Sequence, residues 1–146
     1  TGILDEPSVQ TFIDNSGAWN DSESWPHEPT RFTPFHLHDG GLLSEREPFR
    51  GAGTSSFEDS PGTRGEVRFV TPPMVEETEI CGPIALKLFA STTDRELLIF
   101  ASLIEVAPDG VERLLTRGWL RGSQRKLDST KSEPWQPWHS HKVRDA

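Results

Sequence analysis

The sequence predicts an all-β fold, an antiparallel β-sandwich of the jelly-roll kind. The chain has 12 Gly and 12 Pro residues but only 33% hydrophobic residues, a mixture typical of short strands joined by loops. Apolar residues alternate with period two in the second half of the chain, as in half-buried strands. No segment of a dozen residues carries an apolar stripe at helical spacing, and prolines interrupt the candidates.

The clearest strand patterns lie in residues 66–122, which we expect to form the core strands. Ile84–Ser91 alternates between apolar and polar positions, so its apolar residues share one face. Leu97–Val106 is apolar on both faces, and Val111–Leu120 alternates again. The intervening Pro and Gly of residues 107–111 suit a tight turn. This order predicts an antiparallel hairpin.

The remaining residues of this single 146-residue domain are expected to form fewer strands. Residues 1–65 read as a loop-rich entry segment with short strands at Val9–Ile13, Phe32–Leu37 and Leu42–Leu43. Residues 123–146 are mostly polar and are expected to form a loop.

Charge and motifs exclude several classes of function. The net charge is −8 without a basic stripe, which argues against nucleic-acid and anionic-membrane partners. A single cysteine, Cys81, rules out an internal disulfide and is compatible with a cytoplasmic location. The sequence has no signal peptide or membrane span. Nucleotide-binding glycine loops are absent, so no cofactor is predicted.

No catalytic residue is predicted either. A nucleophile elbow places serine on a strand-to-helix turn in the pattern G-x-S-x-G. The nearest match, Gly53-Thr54-Ser55-Ser56-Phe57, ends in Phe and has no strong strand before it. Cys81 has no neighbouring histidine to activate it, so we interpret it as a small apolar residue at a strand end.

Two alternatives to a purely structural domain come from side chains. His36 and His38 would point to the same face of a strand and could hold zinc with His139 or His141. The favoured interpretation is a strand that runs into the turn at residues 39–41, with the histidines exposed or hydrogen-bonded.

The second alternative is a free-standing carbohydrate-binding module. It requires exposed aromatic rings in a row, and Trp25, Trp135 and Trp138 are the candidates. The competing interpretation is that these rings anchor loops against the sandwich or against a neighbouring domain.

Several stretches, in order along the chain, carry a family pattern. They are Trp19 and Trp25-Pro26 in the spacing W-x5-W-P, Phe35–Ser44, Val67–Thr71 with Glu79–Pro83, Ile84–Ser91, Leu103–Gly110 with its Asp-Gly turn, and Gly118–Arg121. Together they resemble the C-terminal domain of X-Pro dipeptidyl-peptidases and cocaine-esterase-like serine hydrolases. The resemblance covers nearly the whole chain.

The resemblance implies a galactose-binding-like jelly roll that packs on an α/β-hydrolase domain and a helical cap. The catalytic Ser, Asp and His of that family belong to the α/β domain, so this segment is expected to be non-catalytic within a parent that hydrolyses a small ester or peptide. One loop of the jelly roll can line the acyl pocket. By order, that loop is Thr54, Ser55, Ser56 and Phe57, and only Phe57 matches the bulky residues of cocaine-esterase relatives.

Two further expectations come from the resemblance. Trp19, Trp25 and Trp119 are expected to pack structurally. The family's domain continues beyond the region that matches residues 134–146, so we expect the sandwich to be truncated at its C-terminal end, with exposed edges that favour a homo-oligomer.

Overall fold

The computed structural model describes residues 2, 5–49, 53–60, 62 and 65–145. It contains six strands among these residues: β1 (Val9–Ile13), β2 (Ala18–Ser22), β3 (His36–His38), β4 (Leu42–Ser44), β5 (Leu98–Val106) and β6 (Glu112–Arg121). The strands form three two-stranded antiparallel sheets. The predicted all-β class is confirmed, and the small antiparallel sheets are consistent with a β-sandwich domain. No helix in the described part of the chain is long and apolar enough to cross a membrane.

The chain divides into two compact units, Thr1–Gly82 and Pro83–Ala146. In the first unit, β1 pairs with β2 from Val9 opposite Ser22 to Ile13 opposite Ala18. The turn between them closes when the N–H of Gly17, at φ 67°, donates to the carbonyl of Ile13. The predicted strand at Val9–Ile13 is therefore confirmed.

The second hairpin of this unit is short and depends on two glycines. Gly40 and Gly41, at φ 75° and 81°, turn the chain between β3 and β4. Gly41 also lies against a passing segment, because its carbonyl accepts from the N–H of Val70 while the N–H of Leu43 donates to the Val70 carbonyl. Residue 70 thus extends this sheet by a parallel bridge to Leu42.

The second unit is dominated by the hairpin of β5 and β6. The register runs from Leu98 opposite Arg121 to Val106 opposite Glu112, with a bulge that leaves Leu115 as the extra residue. Gly110 has φ 82° in the connecting turn, and the Ala107 N–H donates to the Val111 carbonyl. The hairpin predicted from sequence is confirmed.

Residues after β6 are more ordered than the predicted loop. A 3-10 turn at Gly122–Gln124 follows the strand. Leu127 and His139 then form an antiparallel bridge, flanked by hydrogen bonds from Asp128 N–H to the Trp138 carbonyl and from Ser140 N–H to the Lys126 carbonyl. We call residues 126–140 the C-terminal loop. A further 3-10 turn spans Val143–Asp145.

Two predicted strands differ from the structure. Only His36 and Leu37 of the expected strand Phe32–Leu37 lie in β3, and Pro34 has no N–H to donate to a sheet. Ile84–Ser91 carries no strand assignment. Alternation of apolar and polar residues gives a strand one apolar face, but a strand also needs a neighbouring strand to hydrogen-bond with. No described segment pairs with residues 84–91. Nor do the segments at 67–71 and 79–83 pair with each other.

The described residues include no fully buried hydrophobic side chain. One face of the β5–β6 hairpin carries two apolar pairs, Phe100 opposite Trp119 and Ile104 opposite Leu114, with Ser102 opposite Arg117 between them. Phe100 and Trp119 are 70% and 67% exposed. A sheet face of this composition normally packs against a second layer.

Candidate functional site

The loop predicted to line an acyl pocket, Thr54–Phe57, has an extended backbone without sheet pairing, and its four residues are exposed. Its start is fixed by Asp39, whose Oδ2 accepts a hydrogen bond of 2.8 Å from the Gly53 N–H. Asp39 belongs to the turn between β3 and β4. The loop is therefore tied to a hairpin whose own shape is set by two glycines at positive φ.

The end of this loop is fixed by a different contact. The Phe57 ring and the Glu58 carbonyl lie so close to Gly65 that any Cβ at this position would collide with both. The ring of Phe57 therefore packs directly against the backbone of Gly65, although the side chain remains 54% exposed. Between these two anchors the loop presents two serine hydroxyls, a threonine hydroxyl and one apolar ring.

The anchors Asp39 and Gly65 are not predicted by the sequence. Asp39-Gly40-Gly41 indicates a turn, but nothing in the sequence links this turn to Gly53, 14 residues later. A glycine at 65 is equally uninformative, because glycine is used in many kinds of loop.

The described residues place no catalytic partners around the serines of this loop. An activated serine requires a base within hydrogen-bond reach and a third group that orients the base, and Thr54–Phe57 has no such neighbours among the described hydrogen bonds. A Ser–His contact does occur elsewhere, where Ser44 Oγ lies 2.9 Å from His38 Nε2. No carboxylate of the described residues hydrogen-bonds to His38, so the contact reads as cross-strand pairing of β3 and β4.

The alternative metal site at His36 and His38 is not assembled. The described residues include no group of three or more His, Cys, Asp or Glu side chains placed to hold a metal ion. His139 and His141 lie together instead, with ring centroids 6.0 Å apart. They belong to the second unit, whereas His36 and His38 belong to the first.

The three tryptophans considered for a carbohydrate-binding row differ in exposure and in position along the chain. Trp135 is only half exposed, and Trp25 lies in a different unit from Trp135 and Trp138. Trp19, Trp25 and Trp119 are all exposed within this chain, so their expected packing stays a prediction. Trp19 has one aromatic neighbour, the ring of Phe12 at 5.2 Å, since a two-stranded sheet has no second layer to cover its faces.

Cys81 lies half-buried beside β1, with its Sγ 4.0 Å from Thr11 Oγ1. This placement agrees with the interpretation of a small, structural side chain. It brings no histidine or other base to the thiol, which a nucleophilic cysteine requires.

Comparison with known proteins identifies the family of this chain. The family model of the X-Pro dipeptidyl-peptidase C-terminal non-catalytic domain matches residues 1–144. Searches of curated proteins and of solved structures gave no match. The match covers nearly the entire chain, and a non-catalytic domain agrees with the lack of an assembled nucleophile among the described residues. The chain belongs to the family of C-terminal non-catalytic domains of X-Pro dipeptidyl-peptidases.

Proposed function

We propose that this chain is an accessory β-sandwich domain of a serine hydrolase of the X-Pro dipeptidyl-peptidase or acyl-esterase type. In this proposal it packs on the α/β-hydrolase and cap domains of its parent, and the loop Thr54–Phe57 forms part of the acyl pocket. The observation that carries the proposal is the exposed ring of Phe57. The loop that bears this ring contacts Asp39 at its start and Gly65 at its end, and the chain belongs to a family of non-catalytic peptidase domains.

The exposed surface of the chain supports packing on a larger partner. The chain exposes 12944 Å². The relation between mass and surface gives about 7,500 Å² for a folded protein of this mass, and about 9,000 Å² for two separate bodies of half the mass. The excess of about 3,900 Å² on this chain is more than one partner contributes to an obligate interface that buries about 2,000–5,000 Å² over both partners. A domain that is part of a larger peptidase has such a partner.

The loop suits the wall of a pocket better than a flexible surface crossing. Pocket walls consist mainly of apolar side chains with a few polar groups, held in place before the ligand arrives. Here Asp39 fixes the entrance of the loop and Gly65 seats the ring of Phe57. An aromatic side chain in that position would limit the size of an acyl group by direct contact.

The chemistry then divides between domains. The parent's serine attacks the carbonyl of the ester or amide, and water hydrolyses the acyl-enzyme. This chain contributes contacts to the acyl group but no reacting atom. Its effect would therefore appear in the choice among substrates, through differences in kcat/KM.

The test uses the parent enzyme and the variant Phe57→Ala, with a graded series of acyl groups as substrates. We expect kcat/KM for the bulkiest apolar acyl group to change by about tenfold relative to the smallest, because losing one apolar wall contact is worth roughly 1–3 kcal/mol. The isolated chain should not hydrolyse a p-nitrophenyl ester.

Phe49→Ala is the matched control, since Phe49 is also an exposed phenylalanine but lies outside the loop. It should leave the substrate preference unchanged. Identical preferences in the wild type and in Phe57→Ala would refute the role in the pocket. Ester turnover by the isolated chain would refute the division of chemistry.

A further inference from the structure

The charge of the chain is strongly segregated. Residues 113–146 contain 8 of the 15 basic residues but only 3 of the 23 acidic residues, so this stretch carries +5 in a chain of net charge −8. The proposed role in the acyl pocket depends on residues 54–57 and does not require this uneven distribution of charge. An excess of one charge in a short stretch creates a local potential that attracts ions of the opposite sign.

Part of this positive charge surrounds a cavity. A shallow cavity of about 210 Å³, largely open to solvent, lies between the two ends of the C-terminal loop and the residues that follow it. Its lining residues are Lys126, Leu127, Asp128, Ser129, Ser140, Lys142 and Arg144. One water needs only about 10–15 Å³ of such space, so the cavity admits a ligand of several atoms.

The backbone around the cavity is fixed by hydrogen bonds. Asp128 N–H donates to the Trp138 carbonyl at 2.8 Å, and Ser140 N–H donates to the Lys126 carbonyl at 3.1 Å. Ser132 holds the same crossing, because its hydroxyl accepts from the Trp138 N–H at 2.9 Å. Two opposite walls of the cavity, at residues 126–129 and at Ser140, therefore keep their spacing without a ligand.

The acidic residue in the lining is already engaged. Asp128 Oδ1 accepts hydrogen bonds from the Thr130 hydroxyl at 2.6 Å and from the Thr130 N–H at 3.1 Å. These bonds, and to a lesser degree Lys131 and Lys142, lower the pKa of Asp128. Asp128 thus stays ionised and offsets one positive charge, while three basic side chains and two hydroxyl groups line the same space.

We propose that this cavity binds a small polyanion, a phosphate or polycarboxylate group, between Lys126, Lys142 and Arg144. Ammonium and guanidinium groups form charge-assisted hydrogen bonds with such oxygens, and the hydroxyl group of Ser129 can donate to the same ligand. The site shares no residue with the loop at residues 54–57, so it would give this non-catalytic chain a binding function that does not depend on the proposed pocket.

The experiment is a titration of the 146-residue chain with inorganic phosphate and, separately, with citrate at low ionic strength, followed by amide NMR and calorimetry. We expect saturable binding, with shifted resonances at residues 126–129 and 140–144. The ligand with the lower Kd identifies the preferred anion. The double variant Lys142→Gln and Arg144→Gln should weaken binding by at least about tenfold, because two charge-assisted hydrogen bonds are lost.

The matched control is Lys87→Gln with Arg117→Gln, which removes the same two charges from the same unit but outside the cavity lining. It should change the Kd by less than about twofold. Unshifted amide resonances elsewhere establish that each variant is folded. Shifts that rise linearly and spread over all basic residues, or equal weakening in both double variants, would overturn the proposal, since either result means only diffuse attraction.

Discussion

Glu96 accepts hydrogen bonds from both the hydroxyl and the backbone N–H of Ser123, at 2.5 and 3.1 Å. Glu96 precedes β5 and Ser123 follows β6, so this contact closes the open end of the hairpin. A backbone hydrogen bond of 2.7 Å from Gly122 N–H to the Leu97 carbonyl lies beside it. One carboxylate thus joins the two ends of the longest sheet in the described residues.

The contact predicts an acid-sensitive hairpin. The hydrogen bonds from Ser123 hold the pKa of Glu96 below the ordinary value for a glutamate side chain. A carboxyl group with a lowered native pKa stabilises the fold above its unfolded pKa, and this stabilisation is lost as the pH falls through the native value. We expect amide protection at Gly122 and Ser123 to fall as the pH drops from about 4.5.

The control for this prediction is Glu96→Gln, which keeps an acceptor oxygen but cannot titrate. Its protection at Gly122 should be lower at neutral pH and should change less as the pH falls. Ser123→Ala removes the hydroxyl donor and should move the pKa of Glu96 upward, which a carboxyl NMR titration would measure. An unchanged pKa in Ser123→Ala would contradict the assigned cause.

A second prediction compares two adjacent glycines. Both have positive φ, but a Cβ at Gly41 would lie 2.7 Å from the Arg68 carbonyl oxygen, whereas a Cβ at Gly40 would meet nothing within 4 Å. Gly40→Ala should cost about 1–2 kcal/mol for the left-handed conformation alone. Gly41→Ala should cost at least about 1 kcal/mol more, because a hydrogen bond between Gly41 and Val70 is displaced.

Amide exchange at Leu43 and Val70 measures this difference, since their N–H groups make the two hydrogen bonds between β4 and residue 70. Faster exchange at both sites in Gly41→Ala, with little change in Gly40→Ala, is the expected result. Equal exchange in the two variants would mean that the close approach to Arg68 has no energetic weight.

The tether between Asp39 and Gly53 gives a third prediction. Asp39→Ala removes the acceptor of the 2.8 Å bond to the Gly53 N–H, so exchange at Gly53 should accelerate. An exposed contact of this kind is worth about 1 kcal/mol, or roughly a fivefold change in the open population. Asp59→Ala, an exposed carboxylate near the same loop, is the control and should leave Gly53 unaffected. Unaltered exchange in Asp39→Ala would show that the loop is held by other contacts.

Local sequence patterns predict much of this fold because they report on neighbouring residues. The β5–β6 hairpin follows from two apolar runs and an Asp-Gly turn, all within 25 residues. By contrast, the strand expected at Ile84–Ser91 needs a partner that no alternation pattern specifies, and Pro34 shortens the strand expected at Phe32–Leu37 to β3.

The candidate sites show the same contrast between features set by local sequence and features set by contacts between distant residues. The sequence identifies the loop Thr54–Phe57 through its order in the family pattern. It does not identify Asp39 or Gly65, because these residues reach the loop only through tertiary contacts. The cavity at the C-terminal loop is missed for the same reason: Lys126 and Ser140 are 14 positions apart and meet only when the chain crosses back on itself.

The exposed face of the β5–β6 hairpin leads to the last prediction. Phe100 and Trp119 are directly opposite residues, and Ile104 and Leu114 continue the same face. Aromatic side chains bury about 150–250 Å² each when covered, and apolar area contributes roughly 25 cal/mol per Å². The isolated chain should therefore associate through this face, because self-association removes these apolar side chains from water.

Sedimentation velocity over a range of concentrations tests this expectation. The double variant Phe100→Ser and Trp119→Ser should lower the association constant by at least about tenfold. Val75→Ser is the control, because Val75 is 99% exposed but belongs to the first unit and not to the β5–β6 hairpin. Association that persists in the double variant would place the contact elsewhere on the chain. A monomeric wild-type chain at every concentration would show that the face is covered from within the chain or tolerates water.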